Sequence, residues 1–479
     1  MHSQEAKRKV QGLALILGLG ASGLASARHL ARRGWAIRAA DTREAPAGAE
    51  VLKKEMPAAD VRTGGLPVSL LEGVSLVVMS PGLSPDFGDA APLVRAAREA
   101  GIDVAGEIEL FARALNALKA TGYAPRVIAV TGTNGKTTTT TLVARMAAAG
   151  GLKTVAAGNI GPNAVTEFDK ALDAGELPDV WVLELSSFQL ATTESLFCDA
   201  AAILNITEDH LDWHGGMAAY AAAKARIFKP GTVRVLNRDD SLTAALAEGD
   251  ALTFGVSVPE NDREYGLTAS AGGVRLAAGE RALFAEKDLL IVGRHNTMNA
   301  LAALALIRGA GLSEAGALKA LALYAGESHR VEKVLVADGV LFVDDSKGTN
   351  VGAVAAAVKG FAAQGRRILI VLGGDGKGQD FSPLADALAG VAGAVAVIGM
   401  DADKIAAAVS RVGVPLQKHA TLEAAVDWLW AAHRPGDVLL LSPACASWDM
   451  FKNYAERSAR FIDCARRIAK DVAKETGAC

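Results

Sequence analysis

At 479 residues, 51% apolar and 22% charged, with a net charge of −3, the chain can bury several cores and shows no basic footprint for nucleic acid. Length alone suggests about two to four domains. The four cysteines, Cys198, Cys445, Cys464 and Cys479, have neither metal-ligand nor disulfide-framework spacing, which fits a reducing cytosol.

Lys7, Arg8 and Lys9 before the apolar Leu13–Leu17 imitate a signal peptide. The apolar run is short and broken by Gly18, Gly20 and Gly23, so a first strand entering a glycine turn explains it better. No apolar stretch is long enough to span a bilayer, and a soluble cytoplasmic chain without membrane insertion is expected.

The first block, to about residue 105, alternates apolar runs (13–17, 36–40, 76–79) with Ala-rich helical stretches, the pattern of a parallel sheet covered by helices. Gly18-x-Gly20-x-x-Gly23 follows its first strand and Asp41 ends the next, which satisfies a dinucleotide fingerprint and by itself favours NAD. A second block opens after the loop 120–125 with strand 126–130 and continues through strands 180–185 and 201–206. Over 265–285, short alternating runs and Gly turns read as antiparallel strands appended to the α/β core. The third block begins near Glu327 with strands 340–343, 368–372, 394–398 and 438–441, each followed by a helical pattern. The fold class is α/β, with domains expected at 1–105, 106–326 and 327–479.

Val-Ile-Ala-Val-Thr-Gly-Thr-Asn-Gly-Lys-Thr-Thr-Thr (127–139) is the strongest local signal. A strand feeds a glycine turn, then a helix whose first turn holds Lys136 and Thr137. Helix N-terminal amides attract phosphate, Lys136 meets the terminal phosphates, and Thr137 offers a hydroxyl to Mg²⁺. The spacing departs from the strict P-loop, because Val130 stands where the first glycine is expected; an ordinary strand–turn–helix is the plain alternative. Glu184 ends one apolar run, and Thr207-Glu208-Asp209-His210 follows another. Parallel strands would deliver both to the edge that holds the loop. Glu184 is then a natural magnesium partner for Thr137. Taken alone, it reads equally well as a strand-end carboxylate, and His210 as a capping or exposed histidine.

Several motifs together resemble the Mur ligases, in order across essentially the whole chain. They are Gly-Thr-Asn-Gly-Lys-Thr (132–137), Glu-Leu-Ser-Ser-Phe-Gln-Leu (184–190), Asn-Ile-Thr-Glu-Asp-His-Leu-Asp (205–212) and His-Asn-Thr-Met-Asn (295–299). His329-Arg330, Asp-Asp-Ser-Lys-Gly-Thr-Asn (344–350) and Ser-Pro-Ala-Cys-Ala-Ser (442–447) continue the likeness. Gly-Leu-Gly-Ala-Ser-Gly (18–23), Asp-Thr-Arg (41–43), Gly-Glu-Ile-Glu-Leu-Phe (106–111) and Trp-Asp-Met-Phe-Lys-Asn-Tyr (448–454) look like the branch that adds D-glutamate. The Asp-Asn-Pro-Arg signature of the diamino-acid-adding relative is absent. Two positions depart from the pattern: Gly-Glu-Ser precedes His329 where a proline is expected, and Tyr454 stands where Phe is expected.

The resemblance implies an N-terminal Rossmann-like domain, a central P-loop-type ATPase domain and a C-terminal Rossmann-like domain. It implies that ATP phosphorylates the alanine carboxylate of UDP-N-acetylmuramoyl-L-alanine and that D-glutamate attacks the acyl phosphate. A tetrahedral intermediate would then give amide, ADP and phosphate. Thr133, Asn134, Gly135, Lys136, Thr137, Thr138, Thr139, Asn296, Arg330 and Asp345 would hold ATP. One Mg²⁺ would sit on Thr137 and Glu184 and a second near His210 and Lys224; Lys136, Glu184, His210 and Lys224 form the catalytic set. Lys224, by itself a solvated helix lysine, would be carbamylated. His210, Thr349, Lys377, Ser447 and Tyr454 would bind D-glutamate, with Lys347 in the same loop as Thr349. Ala21, Ser22, Asp41, Thr42, Arg43, Ser80, Gly82 and Asn159 would bind the UDP substrate in place of NAD. The resemblance further implies a monomer whose third domain closes over the second. The rival readings are a sibling ligase, including folylpolyglutamate synthase, an NAD-dependent oxidoreductase, and a non-ligating P-loop NTPase.

Overall fold

The computed structural model describes residues 11–247, 250–291, 293–327, 329–376 and 378–475, so Lys7, Arg8, Lys9, Lys377 and Cys479 lie outside the described residues. The alternating apolar runs assemble into three sheets. In the first, β1 (Leu13–Leu17), β2 (Ala36–Asp41), β3 (Asp60–Thr63), β4 (Val74–Met79) and β5 (Asp103–Gly106) are all parallel, in the order β3-β2-β1-β4-β5. Helices cover both faces, so a strand such as Leu-Ala-Leu-Ile-Leu is apolar throughout. Strand order reverses between β1 and β4, which opens a crevice at their carboxyl ends.

The second sheet contains β6 (Arg126–Thr131), β7 (Thr154–Gly158), β8 (Val180–Glu184), β9 (Ala200–Ile203), β10 (Val233–Asn237) and β11 (Leu252–Phe254). It continues through β12 (Glu264–Ser270), β13 (Gly273–Ala278) and β14 (Arg281–Ala285). The order is β14-β13-β12-β11-β10-β9-β6-β8-β7, parallel from β7 to β12 and antiparallel beyond. The antiparallel strands expected over 265–285 therefore extend the same sheet. In the third sheet, β15 (Glu332–Ala337) pairs antiparallel with β16 (Val340–Asp344). The remaining strands, β17 (Ile368–Gly373), β18 (Ala392–Ile398), β19 (Leu416–Lys418) and β20 (Val438–Leu441), are parallel in the order β15-β16-β20-β17-β18-β19.

Seven helices matter for the site: α1 (Ala21–Arg32), α2 (Glu107–Lys119), α3 (Lys136–Ala149), α4 (Ala164–Ala174), α5 (Met217–Ala225), α6 (Arg294–Gly309) and α7 (Val351–Ala362). Helix α2 joins the first two sheets. Its Phe111 packs edge-on against Trp181 of β8 and Phe168 of α4, with centroids 5.1 and 5.9 Å away. Cys198, Cys445 and Cys464 are buried free thiols. Among the described residues, no helix is long and apolar enough to cross a membrane.

The strands that apolar runs did not announce are mostly sheet edges: β3, β5, β7, β15 and β19. An edge strand buries one flank only, so sequences such as Asp-Val-Arg-Thr and Leu-Gln-Lys suffice. The expected strand 201–206 ends at Ile203. Thr133 N donates to Asn205 O at 2.9 Å, so residues 204–206 bend around the β6–α3 loop instead of continuing the ladder.

Gly23 sits where α1 meets the β1 turn, and a Cβ there would run into the Gly18 carbonyl oxygen. Gly20 faces open space. Gly23→Ala should therefore cost about 1–3 kcal/mol and lower the thermal unfolding midpoint, whereas Gly20→Ala should leave that midpoint nearly unchanged.

Candidate active site

The β6–α3 loop is built from its glycines outward. Gly135 caps α3 at φ 82°, in the left-handed region, and a Cβ on it would collide with Asn299 Oδ1. Asn205 clamps the loop: Asn134 N donates to Asn205 Oδ1 at 2.8 Å, and Asn205 Nδ2 donates to Asn134 O at 3.1 Å. Thr133 Oγ1 accepts from Thr207 N at 3.0 Å and lies 3.0 Å from the buried Tyr220 hydroxyl. Lys136 Nζ donates to the carbonyls of Gly132 (2.8 Å) and Thr133 (2.7 Å). Burial pushes its pKa below the ordinary lysine value; Glu184 and Asp209 oppose that and Arg330 adds to it.

Lys224 is not a surface lysine. It is 1% exposed, its Nζ donates to Gly132 O at 2.9 Å and stands 4.4 Å from the Tyr220 ring centroid. Burial, and then the charge of Lys136, push its pKa well below the usual lysine range. Glu184 ends β8 and is 2% exposed. Its Oε1 accepts from Asn159 Nδ2 at 2.7 Å, while its buried Oε2 has no hydrogen-bond partner among the described residues. An orphaned carboxylate oxygen of this kind fits a hard cation. His210 takes φ 55° at the start of the short helix Leu211–His214 and packs on Phe188, with centroids 4.6 Å apart. The neighbouring His214 is held near pKa 4 by burial, then by Lys224 and His210.

The third sheet faces this loop. Arg330 Nη2 donates to Thr137 Oγ1 at 2.8 Å, and its buried Nε has no hydrogen-bond partner among the described residues. Asp345, at the end of β16, accepts from Ser442 Oγ at 2.6 Å; burial raises its carboxyl to about 7. Asn134, Gly135, Thr138, Asn296, Arg330 and Asp345 line one cavity of about 630 Å³ between the second and third sheets. Thr133, Lys136, Thr137 and Thr139 are not among its lining residues, and the fully buried Thr139 hydroxyl has no partner among the described residues. His295, Asn299 and Glu327, which are outside the expected binding sets, also line the cavity. The first two lie inside the His-Asn-Thr-Met-Asn motif, which was the available signal.

Burial brings the Lys347 amine down to about 8, and its Nζ lies 5.3 Å from the Tyr454 ring centroid. Thr349 is half-buried, Ser447 is buried and Tyr454 is exposed, all on the third sheet's carboxyl-end side. Lys377, expected beside them, lies outside the described residues.

A second cavity of about 390 Å³ opens at the β1/β4 crevice. Ala21, Ser22, Asp41, Thr42, Arg43, Ser80 and Gly82 line it. Asn159 does not, being bonded to Glu184 instead. Asp41 accepts from Leu19 N (2.7 Å), Arg43 N (3.0 Å), Arg43 Nε (2.8 Å) and Arg43 Nη2 (2.7 Å), and the Arg43 hydrogen bonds hold its pKa near 2. Four donors fill a carboxylate's capacity, so Asp41 shapes the turn and has no lone pair to spare for a nicotinamide ribose diol.

Family comparisons match each sheet in turn: a Mur ligase MurD-like N-terminal domain over residues 13–106, a Mur ligase middle domain over 130–307, and a Mur ligase glutamate ligase domain over 329–445. The chain is 51% identical to a UDP-N-acetylmuramoylalanine–D-glutamate ligase of Ralstonia nicotianae, covering 95% of this chain and 97% of that protein. It is 49% identical to one of the same name from Paraburkholderia xenovorans, over 100% and 99%. The crystal structure of UDP-N-acetylmuramate–alanine ligase from Thermotoga maritima has the same fold, with TM-score 0.59 and 21% identity over 95% of this chain and 99% of that one.

The raised Asp345 carboxyl has a consequence for stability. An unfolded aspartate ionises near pH 4, so the folded state holds the extra proton up to about pH 7. Its contribution is complete below the unfolded value and is lost as pH rises through that window. Asp345→Asn should flatten the fall in unfolding midpoint between these pH values, measured by thermal melts across the range.

Proposed function

Because the chain belongs to the Mur ligase family, we propose that it works as its half-identical, full-length relatives are named: it adds D-glutamate to UDP-N-acetylmuramoyl-L-alanine using ATP. It is a carbon–nitrogen ligase of peptidoglycan precursor synthesis. The carrying observation is the convergence at one sheet edge of Lys136, Lys224 and the unpaired Glu184 oxygen, below the cavity that Arg330 and Asp345 close. The domain boundaries 1–105, 106–326 and 327–479 are supported by one sheet falling in each, the first lying within a residue of the end of β5.

A carboxylate resists attack by an amine, so the alanine carboxyl must first be made an acyl phosphate. The transferred phosphoryl group spreads negative charge over its oxygens, and fixed cations are what stabilise it. Lys136 can swing from its loop carbonyls to the terminal phosphates, and Arg330 can pair with phosphate oxygens in a fork. Thr137 and Glu184 would hold one Mg²⁺, and His210 with a modified Lys224 a second; such ions neutralise phosphate charge and orient its oxygens. Asn296 and Asp345 contact the nucleotide in this reading. Thr349, Lys377, Ser447 and Tyr454 receive D-glutamate, with His210 on the facing side. The β1/β4 crevice takes the uridine diphosphate, where the N-terminal amides of α1 meet the anionic group. Asn159 reaches the sugar end. ATP and sugar nucleotides are cytoplasmic metabolites, which supports that location and a place upstream of cell shape and division. A monomer closing its third domain over the second accommodates all three substrates.

The surroundings of Lys224 support the carbamylation that the family resemblance implies. Burial, and then the charge of Lys136, lower the pKa of Lys224 and so favour the neutral amine. That amine can attack carbon dioxide, lose a proton and become a carboxylate beside Lys136. With ¹³C-labelled bicarbonate, a carbamate carbonyl resonance should appear in the parent and be missing from Lys224→Ala. Turnover of that variant should drop roughly a hundredfold; a parent without the resonance would sink the modification.

ADP release with UDP-N-acetylmuramoyl-L-alanine tests the ligase reading itself. D-glutamate should outpace L-glutamate and other amino acids by roughly tenfold or more. Equal stimulation by another amino acid would point to a sibling ligase, and release with no amino acid to a plain NTPase.

A further inference from the structure

Resting on the ligase reading, a contact between the phosphate loop and the third domain points to a residue outside the binding sets. Asn350 is buried and caps α7, its Oδ1 accepting from Ala353 N at 2.9 Å. The same side chain reaches across to the phosphate loop. Asn350 Nδ2 donates to Asn134 Oδ1 at 3.0 Å, and Asn134 Nδ2 donates back to Asn350 Oδ1 at 3.4 Å. Since Asn205 clamps the backbone of Asn134 on both sides, three asparagines link the β9 end, the phosphate loop and the start of α7. The approach is close: a Cβ on Gly352 would lie 3.4 Å from Asn134 Nδ2 and 3.8 Å from Thr207 Oγ1.

We propose that Asn350 is a positioning residue that sets the register of the 347–349 loop against the phosphate loop. The amino-acid side of the reaction is thereby presented in line with the carboxyl that ATP activates. Capping explains the bond from Ala353 N but not the bond to Asn134. Only a side chain that both accepts and donates can do the two at once; a hydroxyl has both capacities but is shorter, and the amide carries its acceptor and donor on separate atoms that reach both partners. Because Asn205 holds the phosphate loop independently, losing the Asn350 amide should disturb amino-acid presentation more than nucleotide binding.

Asn350→Ser keeps a capping oxygen but is too short to reach Asn134, whereas Asn350→Ala loses both functions. Steady-state ADP release should show kcat/KM for D-glutamate falling about tenfold in both variants, the size of losing one or two neutral hydrogen bonds. The KM for ATP should stay within about threefold of the parent, and the serine variant should keep the parental melting midpoint. A serine variant as efficient with D-glutamate as the parent overturns the proposal and leaves only a cap. So does a rise in the KM for ATP that matches the loss with D-glutamate, which would mean a distorted phosphate loop. A parent without D-glutamate-dependent ADP release overturns the ligase reading itself, and this proposal with it.

Discussion

The Gly132 carbonyl accepts from two lysines, the half-buried Lys136 at 2.8 Å and the buried Lys224 at 2.9 Å, and the neighbouring architecture compensates that pairing. Desolvation lowers both pKa values; the charge of Arg330 adds to the fall at Lys136, and that of Lys136 to the fall at Lys224. Charge balance requires a lost proton, a bound polyanion, or conversion of one lysine to an anion. Glu184 and Asp209 supply part of the negative field. In the proposed reading, a triphosphate on Lys136 and a carbamate on Lys224 would supply the rest.

Three parallel strands end at the same edge. The sheet order β9-β6-β8 places the phosphate loop between the strand that ends in Glu184 and the strand that leads to His210. The third sheet brings its own carboxyl ends to the cavity through Asp345, and Arg330 bridges to Thr137. The first sheet contributes its crevice separately. Asn163 of the second domain donates to Ser22 Oγ at 3.2 Å, so even that crevice is tied to the middle sheet. Ligand sites beyond strand carboxyl ends are what open α/β sheets offer. Here three such sheets are assembled so that their offerings can meet in one reaction.

Asp41 shows how the same motif can support different ligands. Its spacing after Gly18-x-Gly20-x-x-Gly23 fits a ribose acceptor for a dinucleotide. Arg43, two residues on, folds back and takes both of its oxygens. The glycine turn and helix terminus remain available for a diphosphate, and the ribose-binding function does not.

Buried strands and glycine turns were readable by themselves, because a strand covered on both faces must be apolar and a left-handed turn favours glycine. The phosphate loop, Glu184 at its strand end and the order of the motifs were determined in this way. Tertiary structure alone decided the rest. Lys224 looks like any solvated helix lysine in Tyr-Ala-Ala-Ala-Lys, and only the packing of α5 against the phosphate loop buries it at Gly132. Edge strands, the commitment of Asp41 to Arg43 and the pairing of Asn134 with Asn350 were likewise invisible. Each depends on a partner distant in the chain or on a side-chain orientation, and local periodicity carries no information about either.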